Sequence, residues 1–383
     1  MFRQVAIIGV GHVGFRPLTP DLSYKELMYE AAVKAYDDAG VDPRSDVDGF
    51  VTVAEDFIEG TSIFDEYVPD QLGAVLKPVH TICGDGLHGF VAAYMQILTG
   101  AMDIVVVEAH SKASNVLTLE HVMAYAMDPV YNRPLAVNPH FVAGLEMNRY
   151  LAETWTTREQ CAQVVAKNKR NALYNPAAAY GADIEVDAVL RAEMVADPLS
   201  RMDISPHADG AIVMVLAAKE VAEALTDVPI WVQGVGWCND SFSLENRDWS
   251  AAIYAAKSGE MAYRMAGITS PWQELDFAEI DDTYSYKELQ HMEALRLCRP
   301  GEAGPLTEEG ATELSGELPV NPSGGSLGMG HLLDASGLGR LLEVVLQLRG
   351  EAGPRQLPDV ETGLAFGWRG IPTTSGAAAI LSN

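Results

Sequence analysis

The stretch Val79-His80-Thr81-Ile82-Cys83-Gly84-Asp85-Gly86-Leu87-His88-Gly89 decides how the remaining chain is read. It passes from a short β-like run through a tight glycine turn into an apolar-periodic helix. Leu87, Phe90, Tyr94 and Ile97 recur at helical spacing, and Gly100 supplies the stop. Cys83 is thereby expected on a strand-to-helix elbow, beside unpaired backbone N–H groups and the positive end of a helix dipole. Such a setting favours the thiolate, the reactive form of cysteine. The plain alternative is a small buried hydrophobe, since free cysteine is among the most buried residues.

Upstream, residues 5–14 read VAIIGVGHVG and contain GxGxxG as Gly9, Gly11 and Gly14. A dinucleotide site needs those glycines to open a helix that faces the pyrophosphate. Here Pro17 and Pro20 follow, and a helix starts only after Ser23, whose Ser-Tyr-Lys-Glu reads as a capping box. The glycines are therefore expected to let a core strand exit into a loop, without a nicotinamide site. A helix over 24–39, a strand over 46–53, the Cys83 helix and the apolar run 102–108 give the order β, α, β, α, β. That order is α/β with a largely parallel sheet.

Downstream, residues 113–200 show no clear strand and read as an inserted helical lid, with helices over 116–126, 140–154 and 157–174. A strand over 212–217 returns to the sheet. Ile230-Trp231-Val232-Gln233-Gly234-Val235-Gly236 then repeats the spacing of residues 5–11 at an offset of 225. Two similar α/β halves follow from that echo, 1–225 and 226–383. In the second, helices are expected over 261–267, 286–297 and 337–349, and strands over 277–280 and 377–381.

Hydrophobic residues at 48% and charged residues at 21% suit a globular protein of 383 residues with room for two cores. Lys and Arg number 26 against 53 Asp and Glu, a net charge of −27. A surface that negative repels nucleic acid and anionic membranes, so neither is expected as a partner. Cys83, Cys161, Cys238 and Cys298 lie far apart, with no CxxC and no zinc spacing. Reduced thiols in a cytoplasmic protein, and no bound metal, are the expectation. The apolar run 5–10 is short for a signal peptide, and no run approaches the ~18 apolar residues of a transmembrane helix.

Three further stretches carry chemistry: Asp281-Asp282-Thr283-Tyr284 just past an apolar strand, a glycine-rich loop from Asn321 to His331, and Gly367-Trp368-Arg369-Gly370. Taken singly, they read as helix-capping carboxylates, a surface histidine and a plain turn. Taken with Cys83, they supply a nucleophile, a polarising histidine, an acid or base, and a backbone N–H at a glycine turn. Acyl transfer from a thioester fits that set.

The same segments carry a resemblance. CGDGLHG with its helix and the following GAMDIVVVEAHSKAS, KNKRNALYNPAA, HADGA, EIDDTYSYKELQHMEALRLCRPGE and LPVNPSGGSLGMGHLLDASGLGR occur in order along nearly the whole chain. They resemble the thiolase superfamily, in particular its sterol-carrier-protein-type and archaeal-type thiolases and their thiolase-like aldolase relatives. The resemblance implies duplicated α/β halves in a five-layered αβαβα arrangement. It implies Cys83 as the acyl-accepting nucleophile and His331 as the histidine that activates it. The backbone N–H groups of Cys83 and Gly370 would form an oxyanion hole, and the loop of Asn321, Gly324 and Gly325 would hold substrate. Coenzyme A would be substrate or product, with no further cofactor.

The departures matter as much. No second cysteine stands before the last strand, where the chain reads GWRGIPTTSG. Asp281, Thr283 and Tyr284 replace the His, Cys and Phe of a His-Asp-Cys-Phe stretch, and Leu332 replaces a proline after His331. Asp281 or Tyr284 is then expected to manage the proton usually handled by the missing cysteine. The leading expectation is a thiolase that makes or breaks a β-ketoacyl-CoA bond through acyl-Cys83. The alternatives are a thiolase-like aldolase cleaving a β-hydroxyacyl-CoA, or a non-catalytic subunit. A homodimer paired near residues 103–108 and a small zinc-ribbon/OB-fold partner are further implications.

Overall fold

The computed structural model describes residues 3–370 and 374–383. Nine strands form one hydrogen-bonded sheet: β1 (Val5–Arg16), β2 (Gly49–Val53), β3 (Val79–Ile82), β4 (Ile104–Lys112), β5 (Asp209–Ala218), β6 (Ile230–Asn239), β7 (Phe277–Glu279), β8 (Thr362–Arg369) and β9 (Ser375–Ser382). Their spatial order is β3-β2-β4-β5-β1-β6-β9-β8-β7. The principal helices are α1 (Tyr24–Ala39), α2 (Gly86–Leu98), α3 (Leu119–Met123), α4 (Pro139–Thr154), α5 (Arg158–Ala172), α6 (Ile253–Ala266), α7 (Ser285–Ala294), α8 (Gly325–Met329) and α9 (Ser336–Arg349). No helix among the described residues is long and apolar enough to cross a membrane.

The order reads the same way outward from a seam where β1 meets β6 at Ala6–Trp231 and Ile7–Ile230. On one side β1, β5 and β4 pair antiparallel, then β2 and β3 continue parallel. On the other, β6, β9 and β8 pair antiparallel and β7 continues parallel, with a parallel bridge from Ala278 to Val320 in the fifth place.

Side-chain alternation divides the layers, because successive residues of a strand face opposite ways. Val5 and Ile7 of β1, Ile212, Met214 and Leu216 of β5, and Ala377 and Ala379 of β9 face a central core that holds α2 and α9. Ala6 and Ile8, with Val213 and Val215, face α1 on one outer side. Ala378 and Ile380 of β9, with Leu364 and Phe366 of β8, face α6 and α7 on the other. Helix, sheet, helix, sheet, helix is the resulting stack.

Gly9 and Gly11 sit inside a continuous strand, where an exit into a loop was expected. A Cβ on Gly9 would lie 2.5 Å from the Ala35 carbonyl oxygen, and one on Gly11 2.2 Å from that of Ala31. Gly234 and Gly236 admit α6 in the same way, at 2.2 Å from the Ala262 oxygen and 2.0 Å from the Ser258 oxygen. GxG here is a helix-docking groove, which is why no phosphate-binding turn forms. β4 also departs from expectation: it is buried and flanked on both sides by β2 and β5, so it cannot pair across a dimer axis. Among the described residues β3 is bordered only by β2, which makes it an open edge of the sheet.

Candidate active site

The elbow forms as expected. β3 stops at Ile82, Gly84 turns the chain at φ +125°, and Asp85 caps α2. The Asp85 carboxylate accepts from the backbone N–H of Leu87 (3.0 Å) and of Gly337 (2.7 Å), tying the two central helices together. Burial pushes Asp85 up to about 6, against the pull of Arg340.

Cys83 is exposed at this elbow, yet it is not held as a thiolate. Desolvation, and then the carboxylates of Glu55, Asp56 and Asp334, raise its thiol above the usual value. The helix begins three residues beyond the sulfur. Cys83 lines a cavity of about 460 Å³ with Glu55, His88, Met95, Trp237 and Arg369. His88 is the group there that the sequence did not single out. Burial pushes its imidazole down to about 4.

His331 and Tyr284 meet in a different cavity, of about 800 Å³, lined also by Thr283, His140, His207 and Gly370. The segment around Ile204–Ala208 positions both. Ile204 bridges Tyr284, and Ser205 N–H donates to the Thr283 carbonyl (2.9 Å). His207 bridges His331, whose N–H donates to the Pro206 carbonyl (2.7 Å). His331 Nδ1 accepts from Leu333 N–H (3.2 Å), which places the ring proton on Nε2. Burial, His207 and Arg340 hold this imidazole well below its ordinary value, so it is neutral. Tyr284 is 2% exposed, and its hydroxyl lies 3.1 Å from His140 Nδ1.

Between the cavities stands an ion pair. Arg369 holds Glu55 through Nε (2.8 Å) and a second guanidinium nitrogen, and its Nη1 donates to the Gly370 carbonyl (3.1 Å). Arg369 and Gly370 also border a narrow void shared with His331 and Asp334. Among the described residues, Cys83 does not line the Tyr284 cavity. Ile371 to Thr373 of the GWRGIPTTSG stretch lie outside the described residues. Gly367, expected in a turn, is inside β8, where a Cβ would fall 2.1 Å from Asp85 Oδ1.

Asp281 is not placed to exchange protons with a ligand. It is fully buried and lies 2.7 Å from Arg340, itself buried on α9, while accepting from Thr283 N–H (3.0 Å). Its neighbour Asp282, pushed up to about 6 by burial, accepts from the N–H groups of Ser326 (2.6 Å) and Leu327 (3.1 Å). The loop expected to hold substrate makes close packing contacts. Asn321 bonds Glu288 (2.7 Å) and Ile280 N–H (2.8 Å). Gly325 presses on Asp282, where a Cβ would come within 2.1 Å, and Gly324 presses on Ala172 of α5 at 2.5 Å.

Two family models match the chain, "Thiolase, N-terminal domain" over residues 5–220 and "Thiolase C-terminal domain-like" over residues 237–383. An acetyl-CoA acetyltransferase of Methanothermobacter thermautotrophicus is 33% identical, covering 99% of this chain and 98% of that protein. Sterol carrier protein 2 of Bos taurus is 27% identical over 94% of this chain and 69% of its own length. Among solved structures, the Ltp2-ChsH2(DUF35) aldolase superposes with a TM-score of 0.85 at 24% identity, covering 99% of this chain and 97% of that chain.

Proposed function

Because the chain belongs to the thiolase family, we propose that it breaks or makes the carbon–carbon bond next to an acyl-CoA thioester by proton transfer at Tyr284. The supporting observation is that Tyr284, His331 and Gly370 line one cavity and Cys83 lines another. On a β-hydroxyacyl-CoA, the Tyr284 oxygen takes the hydroxyl proton and the Cα–Cβ bond breaks. The electron pair moves into the thioester as an enolate, leaving a ketone or aldehyde. His331, neutral with its proton on Nε2, donates to the enolate oxygen together with the Gly370 N–H. Protonation at Cα then releases the shorter acyl-CoA.

Acyl transfer through Cys83 is the second reading, favoured by the 33% identity to an acetyl-CoA acetyltransferase. It requires the Arg369–Glu55 pair to part, so that Cys83 and His331 share one space. Turnover of a β-hydroxyacyl-CoA, and separately of a β-ketoacyl-CoA with free coenzyme A, followed by chromatography of the CoA esters, separates the two. The expected result is that Cys83→Ser keeps its rate within about 3-fold while Tyr284→Phe falls by about 100-fold or more. Thiolysis of the β-ketoacyl-CoA that is lost in Cys83→Ser, with the β-hydroxyacyl-CoA left uncleaved, would establish the second reading. Homodimerisation and a basic zinc-ribbon/OB-fold partner belong to this proposal too. The open β3 edge and the −27 charge support them.

A further inference from the structure

A buried phenol is a poor base unless something removes its own proton. Burial, then Glu146, Asp281 and Glu120, hold the Tyr284 hydroxyl well above its ordinary value. Taking the Tyr284 reading above as premise, we propose that His140 is the positioning residue that receives the Tyr284 proton, with Glu120 fixing the imidazole tautomer.

The geometry forms a line. The Tyr284 hydroxyl is 3.1 Å from His140 Nδ1, with the rings edge to face at 5.9 Å and 79°. His140 Nε2 is 3.6 Å from Glu120 Oε1, and the other Glu120 oxygen accepts from the Asn138 amide. A carboxylate opposite Nε2 draws the ring proton there, which leaves the Nδ1 lone pair to accept from the phenol. Carboxylate, imidazole and hydroxyl then stand in the order of a hydrolase triad, with a phenol in the place of serine. The three residues come from α3, the first turn of α4 and the cap of α7, and all three line the 800 Å³ cavity.

The charge around His140 suits the role. Burial lowers its proton affinity, Arg201 lowers it further and Glu120 opposes both; His207 faces it as a second neutral imidazole. His140 is thus unprotonated at neutral pH and free to accept. As the β-hydroxyl proton reaches the Tyr284 oxygen, the phenol proton passes to Nδ1 and Cα–Cβ breaks. That proton returns from His140 through Tyr284 to the α-carbon, so the enzyme ends as it began.

The test is the pH dependence of kcat on a β-hydroxyacyl-CoA. Wild type should show an acid limb lying below the ordinary histidine range, where protonated His140 cannot accept. His140→Ala should lose about 100-fold in kcat with KM within about 3-fold, lose the limb, and regain rate with added imidazole. Glu120→Gln should move the limb to lower pH, because the carboxylate raises the proton affinity of His140. A His140→Ala enzyme that keeps the wild-type limb overturns the relay, whatever its rate. An active Tyr284→Phe enzyme, or a wild type inert toward β-hydroxyacyl-CoA, overturns the underlying reading instead.

Discussion

Arg340 shows how one residue can decide what its neighbours do. Its guanidinium lies 2.7 Å from Asp281 and 3.6 Å from Asp282, and it donates to the Ser326 hydroxyl (2.8 Å), all fully or almost fully buried. Removing one partner of a buried pair leaves charge without compensation, a loss of about 3–5 kcal/mol. Arg340→Met should therefore unfold at lower urea, with the deficit narrowing as pH falls from 7 to 5. The sign follows from Asp85 and Asp282: burial already raises both to about 6, Arg340 restrains that rise, and without it both bind protons more readily. A deficit that widens toward pH 5 would contradict this. At this scale the sequence was informative where chemistry is local. Cys83 at its elbow and His331 after its glycine loop could be read from adjacent residues. The Tyr284–His140 contact spans 144 positions, and the Asp281–Arg340 pair joins a strand end to a distant helix. Nothing in either neighbourhood announces the other, so Asp281 looked like an acid or base and His140 like nothing.

Elements were legible where period and punctuation agreed. α1 runs from Tyr24 to Ala39 with its capping box at Ser23 and a left-handed Gly40 at φ 66°, as its sequence implies. α5 likewise starts after a Thr157 capping box. β8 was missed because Gly363 and Gly367 look like breaks; they are instead points where Phe277, Val344 and Asp85 approach the strand too closely for a side chain. The expected all-helical lid also holds a small hairpin, Met194–Ala196 with Leu199–Ser200. The GxG echo was visible, whereas its purpose was not, since the spacing that cradles a phosphate also admits a helix backbone. Gly236→Ala must push α6 away and should destabilise by about 1–3 kcal/mol in urea unfolding. Gly14→Ala, at a position with nothing within 4 Å, should change stability by less than about 0.5 kcal/mol. Equal effects at the two positions would contradict the docking role.

The sheet folds over so that its two wings enclose α2 and α9; the ends of β3 and β8 border one cavity and the cap of α7 borders the other. The order of elements made the α/β class readable in advance, and the layered stack followed from the family resemblance; the sheet continuing through a β1–β6 seam was not readable, because two bridging pairs leave no sequence period. The net charge of −27 acts at this scale as well. Coenzyme A is polyanionic, so encounter with this surface is opposed at low salt. kcat/KM for acyl-CoA substrates should rise as ionic strength goes from about 10 to 150 mM, where the Debye length falls from roughly 30 to 8 Å. A fall over that range would mean that a local basic site dominates the approach.

We propose that carbon–carbon cleavage proceeds without an acyl-Cys83. The deciding measurement is the intact mass of the wild-type enzyme, quenched in acid during incubation with a β-hydroxyacyl-CoA and, separately, with a β-ketoacyl-CoA. The expected result is an unmodified chain throughout turnover, with Cys83→Ser turning over at a similar rate. An acyl increment that maps to Cys83 and disappears together with activity in Cys83→Ser would contradict it.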